Sequence, residues 1–137
     1  MINSFTSEYR FLSNFWPAKV TLEGLVFDSV EHAYVAAKTT DAEIRKQVQQ
    51  IKNTGEVKKF GRTIKLRSDW ESVKLSIMED LLRQKFSNSH LKQQLFLTGS
   101  HELVEGNWWG DIFWGVCNGV GENNLGKLLM KIRDEII

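Results

Sequence analysis

The apolar spacing that most constrains this chain runs from residue 70 to residue 86. Ser68-Asp-Trp70-Glu71 has capping-box spacing and opens onto Trp70, Val73, Ile77, Leu81 and Phe86, which recur at helical period. The same grammar returns elsewhere. Thr40-Asp-Ala-Glu43 precedes Ile44, Val48 and Ile51, and Leu91 to Leu97 makes a short helix ended near Gly99. Leu125, Leu128, Leu129, Ile132 and Ile136 give a closing amphipathic helix. The β signal is thinner. Val20 and Leu22 alternate with polar neighbours, Glu23-Gly24 turns the chain and Val26-Phe27 returns it, so 18–28 reads as a hairpin. Glu102-Leu-Val-Glu105 and Ile112-Phe-Trp114-Gly-Val116 read as short strands. The expected fold is α+β, a small irregular sheet with several packed helices, and residues 1–137 form a single domain.

Charge and cysteine usage narrow the function classes. Eighteen basic and 17 acidic residues leave a net charge of +1, so no general attraction to nucleic acid or membrane is implied. The basic stretch from Lys52 to Arg67 is interrupted by Glu56 and by apolar residues, which leaves room for local phosphate contacts only. Cys117 is the sole cysteine and excludes an intrachain disulfide framework. His32, His90 and His101 lack metal-ligand spacing, so no metal site is expected. The N-terminus has neither a charged region nor an apolar core of the signal-peptide kind, and no apolar run reaches spanning length. A cytoplasmic protein without a membrane partner is expected.

Two segments carry candidate chemistry. Ser29-Val-Glu31-His32-Ala-Tyr34-Val-Ala-Ala-Lys38 reads as a helix with Glu31 and Lys38 on one face, roughly 10 Å apart along its axis. Side chains at that spacing can converge on one small ligand. Asp111-Ile-Phe-Trp114-Gly115 places a second acid beside a large aromatic. Two acids, an amine and a stacking surface suit cleavage at a sugar carbon from which a nitrogenous base departs. The bland alternatives are concrete. Glu31 stands three residues after Asp28 and fits a capping box, Lys38 fits a solvated helix end, and Tyr34 fits a core position as well as a stacking one.

The remaining signals are aromatic and glycine-rich. Trp108, Trp109 and Trp114 crowd a Gly/Asn-rich segment and read as a stacking wall for a flat base or sugar. Ser13-Asn14-Phe15-Trp16 either lines the same pocket or forms an Asx turn before Pro17. Gly121-Glu-Asn-Asn-Leu-Gly126-Lys127 imitates a phosphate-binding P-loop, but Leu128 stands where the magnesium-holding hydroxyl belongs. A milder reading has this Gly-rich loop, with Gly121 and Asn123, enter a helix and offer free backbone N–H groups to a phosphate, against glycines that only permit tight turns.

In order along the chain, these segments resemble the NADAR superfamily (NAD- and ADP-ribose-associated), which includes riboflavin-intermediate N-glycosidases and a swarming-motility protein. The matching residues are Ser13-Asn14-Phe15, Ser29-x-Glu31-His32 with Lys38, Gly61-Arg62, Trp70-Glu71-Ser-Val-Lys74 and Lys85-Phe86. They continue through Leu97-Thr98, Leu103-Val104-Glu105, Asp111-x-x-Trp114-Gly115 and Gly121-x-Asn123-x-Leu-Gly126. The lead-in through Asn3-Ser4-Phe5 and Glu8-Tyr9-Arg10 departs from the family's opening Phe-Tyr pair, which leaves the substrate more open than the reaction type.

The resemblance implies an N-glycosidase cleaving the C1–N bond between a phosphorylated ribose and a base amine. ADP-ribosylated guanine and riboflavin-pathway ribosylaminopyrimidines are its candidate substrates, free or linked to nucleic acid. Glu31, Lys38 and Asp111 are the expected catalytic residues. Ser13, Asn14, Phe15, His32, Tyr34, Trp70, Glu105, Trp108, Trp114, Gly115, Gly121 and Asn123 are expected to bind substrate, with no cofactor. A non-catalytic ADP-ribose or NAD-binding module is the alternative.

Overall fold

The structure is a computed structural model in which residues 1–136 are described. Its contacts cluster into two compact units, one spanning Asn14–Lys85 and the other combining Met1–Ser13 with the chain from Phe86 onward.

The first unit is built on the expected hairpin. Strands β1 (Pro17–Leu22) and β2 (Leu25–Ser29) pair antiparallel in the register Leu22↔Leu25, Thr21↔Val26 and Val20↔Phe27. Their two-residue turn places both Glu23 and Gly24 at positive φ, +46° and +87°, the twist that suits a tight hairpin. Val20 and Phe27 oppose each other and are buried; each such side chain contributes about 1.5–3 kcal/mol. Helix α1 (Val30–Ala37) follows directly, then α2 (Ala42–Gln50), α3 (Thr54–Gly61) and α4 (Trp70–Lys85). The Gln84 side chain covers the open edge of β1, donating to the Thr21 carbonyl at 2.9 Å and accepting from its N–H at 2.7 Å.

Two caps and one helix end differ from the sequence reading. Helix α1 is capped by Ser29, whose Oγ accepts from the His32 N–H at 3.1 Å. Asp28 instead pairs with Lys19 across the hairpin, so a capping box between Asp28 and Glu31 does not form. Helix α2 starts one residue later than Thr40 implied, because Asp41 Oδ1 takes the N–H groups of both Glu43 and Ile44. Helix α4 ends at Lys85, which leaves Phe86 beyond the helix it was expected to close. Helix α3 was not anticipated, although Asn53-Thr-Gly-Glu56 carries its cap: Asn53 Oδ1 accepts from the Glu56 N–H at 3.1 Å.

In the second unit a 3₁₀ turn (Ser7–Leu12), α5 (Ser89–Leu97) and α6 (Asn124–Asp134) surround very little sheet. Leu103 makes only a single parallel bridge, to Ile2, and β3 (Gly106–Asn107) pairs with β4 (Val116–Cys117) over two residues. The strand expected over 112–116 fails for a local reason. Asp111 Oδ1 accepts from the N–H groups of Phe113 (3.2 Å) and Trp114 (2.9 Å), which curls those residues into a turn.

Asn123 pins α6 from the left-handed region, at φ +54°. Its Oδ1 accepts from the Glu105 N–H at 3.0 Å and its Nδ2 donates to the Leu103 carbonyl at 2.9 Å. Asn123→Asp is expected to cost about 1–3 kcal/mol in urea unfolding, because the Leu103 carbonyl loses its donor. A protonated Asp can restore that donor. The folded pKa of the new carboxyl is therefore raised, and the deficit should shrink as pH falls and grow as pH rises through that value.

Candidate active site

Helix α1 is buried on nearly every side. Val30, His32, Ala33, Tyr34, Val35, Ala36 and Ala37 are all in the interior, and the helix packs against β1, β2, α2, α3 and α4. The three alanines let those elements approach closely, which is a structural use of small residues. Both helix ends are fixed from outside. At the start, the Asn14 carbonyl accepts from the Glu31 N–H at 3.1 Å. His32 Nε2 lies 2.8 Å from the Ile51 carbonyl, which can only accept, so this nitrogen carries the proton. In the neutral ring Nδ1 then takes the Ser29 hydroxyl hydrogen at 2.6 Å. At the other end, Arg45 Nε donates to the Thr39 carbonyl at 2.9 Å, and the Arg67 N–H donates to the Lys38 carbonyl at 2.7 Å.

What α1 leaves at its two ends is Glu31 in the first turn and Lys38 at the C-cap. Lys38 Nζ lies 3.5 Å from the Gly61 carbonyl and 5.9 Å from the centre of the Tyr34 ring, and Tyr34 packs against Trp70 at 5.1 Å. Burial lowers the pKa of this amine from the usual lysine value of 10.5. The Glu31 carboxylate opposes that shift and Arg62 adds to it, and burial wins. The amine thus gives up its proton more readily than a solvated lysine, with an acid within electrostatic reach.

The other expected residues of this unit divide between two places. Tyr34 and Trp70 accompany Lys38. Phe15 and His32 line an open cavity of about 510 Å³ together with Lys19, Asp28, Lys52 and Thr54, and its walls do not include Glu31, Tyr34, Lys38 or Trp70. Asn14 is buried, its Nδ2 against Met78 Sδ at 3.6 Å and its Oδ1 without a hydrogen-bond partner among the described residues.

Ser13, Glu105, Trp108, Asp111, Trp114, Gly115, Gly121 and Asn123 belong to the second unit. Trp108 is 86% exposed and meets Trp109 edge-on at 5.6 Å, while Trp114 meets Phe113 edge-on at 4.8 Å. The three tryptophans thus take part in two edge-on aromatic pairs, Trp108–Trp109 and Phe113–Trp114.

The Gly121–Gly126 loop, the expected phosphate cradle, spends several of its N–H groups within the chain. The N–H groups of Glu122, Asn123, Asn124 and Leu125 donate in turn to the carbonyls of Ile112, Gly115, Phe113 and Trp114, at 2.8–3.3 Å. Those four donors are already committed within the unit. The glycines serve close approach instead: a Cβ on Gly121 would meet the Gly115 carbonyl oxygen at 2.1 Å, and one on Gly126 would meet that of Leu103 at 2.0 Å.

The state of Lys38 is directly measurable. Its ε-carbon resonance should titrate below 10.5, and Glu31→Gln should lower the midpoint further by removing the carboxylate that favours the ammonium. The folded chain then binds fewer protons than the unfolded chain between the Lys38 midpoint and 10.5. Across that window wild-type stability should rise with pH relative to Lys38→Met. A midpoint at or above 10.5 would remove the case for a neutral amine.

Comparison with known proteins bears on what this geometry does. The NADAR domain model matches residues 3–137. An N-glycosidase YbiA of Shigella boydii is 35% identical over 139 residues, covering 97% of this chain and 85% of that protein. An N-glycosidase of Nostoc punctiforme is 37% identical over 135 residues, covering 93% and 86%. A riboflavin biosynthesis protein of Vibrio vulnificus is 35% identical over 132 residues, and there the chain spans only 36% of its relative's length. The NMR structure of the Escherichia coli protein YbiA superposes with a TM-score of 0.84 at 30% identity, covering 98% of this chain and 86% of that one. The mixed helix and small-sheet fold is shared with that protein, as the α+β reading required, and this chain belongs to the NADAR domain family.

Proposed function

We propose that this chain is an N-glycosidase, a hydrolase of N-glycosyl bonds, acting on the C1–N bond between a phosphorylated ribose and a base amine. Phosphoribosyl and ADP-ribosyl N-ribosides are the substrate classes. The names of its relatives support the reaction class. The observation that carries the chemistry is the half-buried Lys38 amine, its pKa lowered by burial, on the same short helix as Glu31.

An N-riboside of an exocyclic amine opens to an imine at C1. The neutral Lys38 amine adds to that carbon and expels the base as a free amine, forming a C1–lysine imine. Water then hydrolyses this imine, which returns the lysine and releases the sugar as its aldehyde. Glu31 carries the protons, giving one to the departing amine and taking one from the attacking water. Helix α1 is held at both ends, so the backbone that carries both groups is fixed before substrate arrives.

Incubation with ADP-ribosylated guanosine and, separately, with riboflavin-pathway ribosylamines, followed by chromatography, tests the substrate class. Free base from at least one is expected. Free base from neither, alongside tight ADP-ribose binding, would make the chain a binding module. Glu31→Gln should lower turnover by about 10²–10⁴, the usual cost of losing a positioned acid or base. Its stability should change by no more than about 1 kcal/mol, the scale of a first-turn carboxylate on the helix dipole. A variant that melts early and turns over normally would reduce Glu31 to a helix-end residue.

A further inference from the structure

Four N–H groups of the Gly121–Gly126 loop are already committed, while one cation beside Lys38 has no assigned partner. The four arginines of the Asn14–Lys85 unit behave differently. Arg45 bonds Glu23 at 2.6 Å, Arg67 holds Asp69 through two hydrogen bonds of 2.6 and 3.1 Å, and Arg83 holds Glu79 at 2.9 Å. The side chain of Arg62 is exposed and makes no hydrogen bond or ion pair among the described residues. It is also the residue directly after Gly61, whose carbonyl lies 3.5 Å from Lys38 Nζ. The Arg62 side chain therefore leaves the backbone right beside the amine, well within the reach of a guanidinium.

We propose that Arg62 is the anion-binding residue of the α1 site, taking the phosphate of a ribose whose C1 lies against Lys38. The inference rests on the reading of a phosphorylated ribose as substrate and adds the residue that selects for its phosphate. A guanidinium is planar and offers paired N–H donors that match two phosphate oxygens, and its charge is permanent. Its charge also opposes protonation of Lys38, so the guanidinium stands within electrostatic reach of that amine. The competing account is that Arg62, at the C-cap of α3, only complements the helix dipole. Arg62→Lys separates the two, since it keeps a cation at the helix end and discards the paired donors.

Kinetics on a ribosylamine 5′-phosphate and on the same ribosylamine without phosphate give the test. In Arg62→Gln, kcat/KM for the phosphorylated compound should fall about 10–100-fold more than for the other, the scale of a lost charged hydrogen bond. Arg62→Lys should recover only part of that difference. Equal losses on both compounds, no loss on either, or full recovery in Arg62→Lys would overturn the assignment. Titration with inorganic pyrophosphate reads the site without turnover: the Gly61, Arg62 and Thr63 amide resonances should shift in wild type and stay in place in Arg62→Gln. If neither ribosylamine is cleaved, the reaction proposed above fails and this titration alone decides. Identical shifts in both proteins would then overturn the Arg62 assignment.

Discussion

Burial of α1 is the constraint on which the candidate site depends. An eight-residue helix is too short to persist alone, because so few of its hydrogen bonds follow the costly first turn. It persists here because β1, β2, α2, α3 and α4 enclose it and because each end is tied to a neighbour. The Ser29–His32–Ile51 chain joins its first turn to the end of α2. Arg45 and Arg67 satisfy carbonyls at its last turn. The residues that this enclosed helix leaves half-buried are Glu31 and Lys38, at its two ends. The same enclosure that fixes the lysine also desolvates it, so positioning and pKa have one origin.

The second unit solves the helix-end problem with backbone instead of side chains. Carbonyls of residues 112–115 accept the N–H groups of residues 122–125 at the entry to α6. Asn123 fastens the same region to Leu103 and Glu105. This stitching requires the chains to approach more closely than any Cβ permits, which accounts for Gly121 and Gly126 without a ligand. A glycine-rich helix start offers an anion site only while its donors remain unpaired.

The hairpin, α2, α4, α5 and α6 were legible because each rests on local rules: alternation, helical spacing and a recognisable cap. One miss is local: an Asp two and three residues before the N–H groups it accepts can build an Asx turn, and Asp111 does so in place of a strand. The other has partners farther along the chain, since nothing near Gly121 showed that residues 112–115 would take up N–H groups of residues 122–125. Helix α3 was legible in principle, since Asn53 and Glu56 have cap spacing, but its lysines drew attention to charge first. In the site, the Glu31–Lys38 spacing needed only helix geometry. The depressed amine needed burial, to which Ala33, Ala36 and Ala37 gave the only hint. Arg62 stood out only once every other arginine of its unit had a carboxylate.

The most direct measurement of the central claim is chemical trapping at Lys38. Borohydride added during turnover of a ribosylamine should reduce the C1–lysine imine and leave a ribosyl adduct, read as a mass increase on the peptide carrying Lys38. Lys38→Arg should be inactive and yield no adduct, because a guanidinium keeps the charge but cannot form the imine. Wild-type turnover without an adduct, together with substantial activity in Lys38→Arg, would contradict the account and return the chemistry to carboxylate-assisted attack by water.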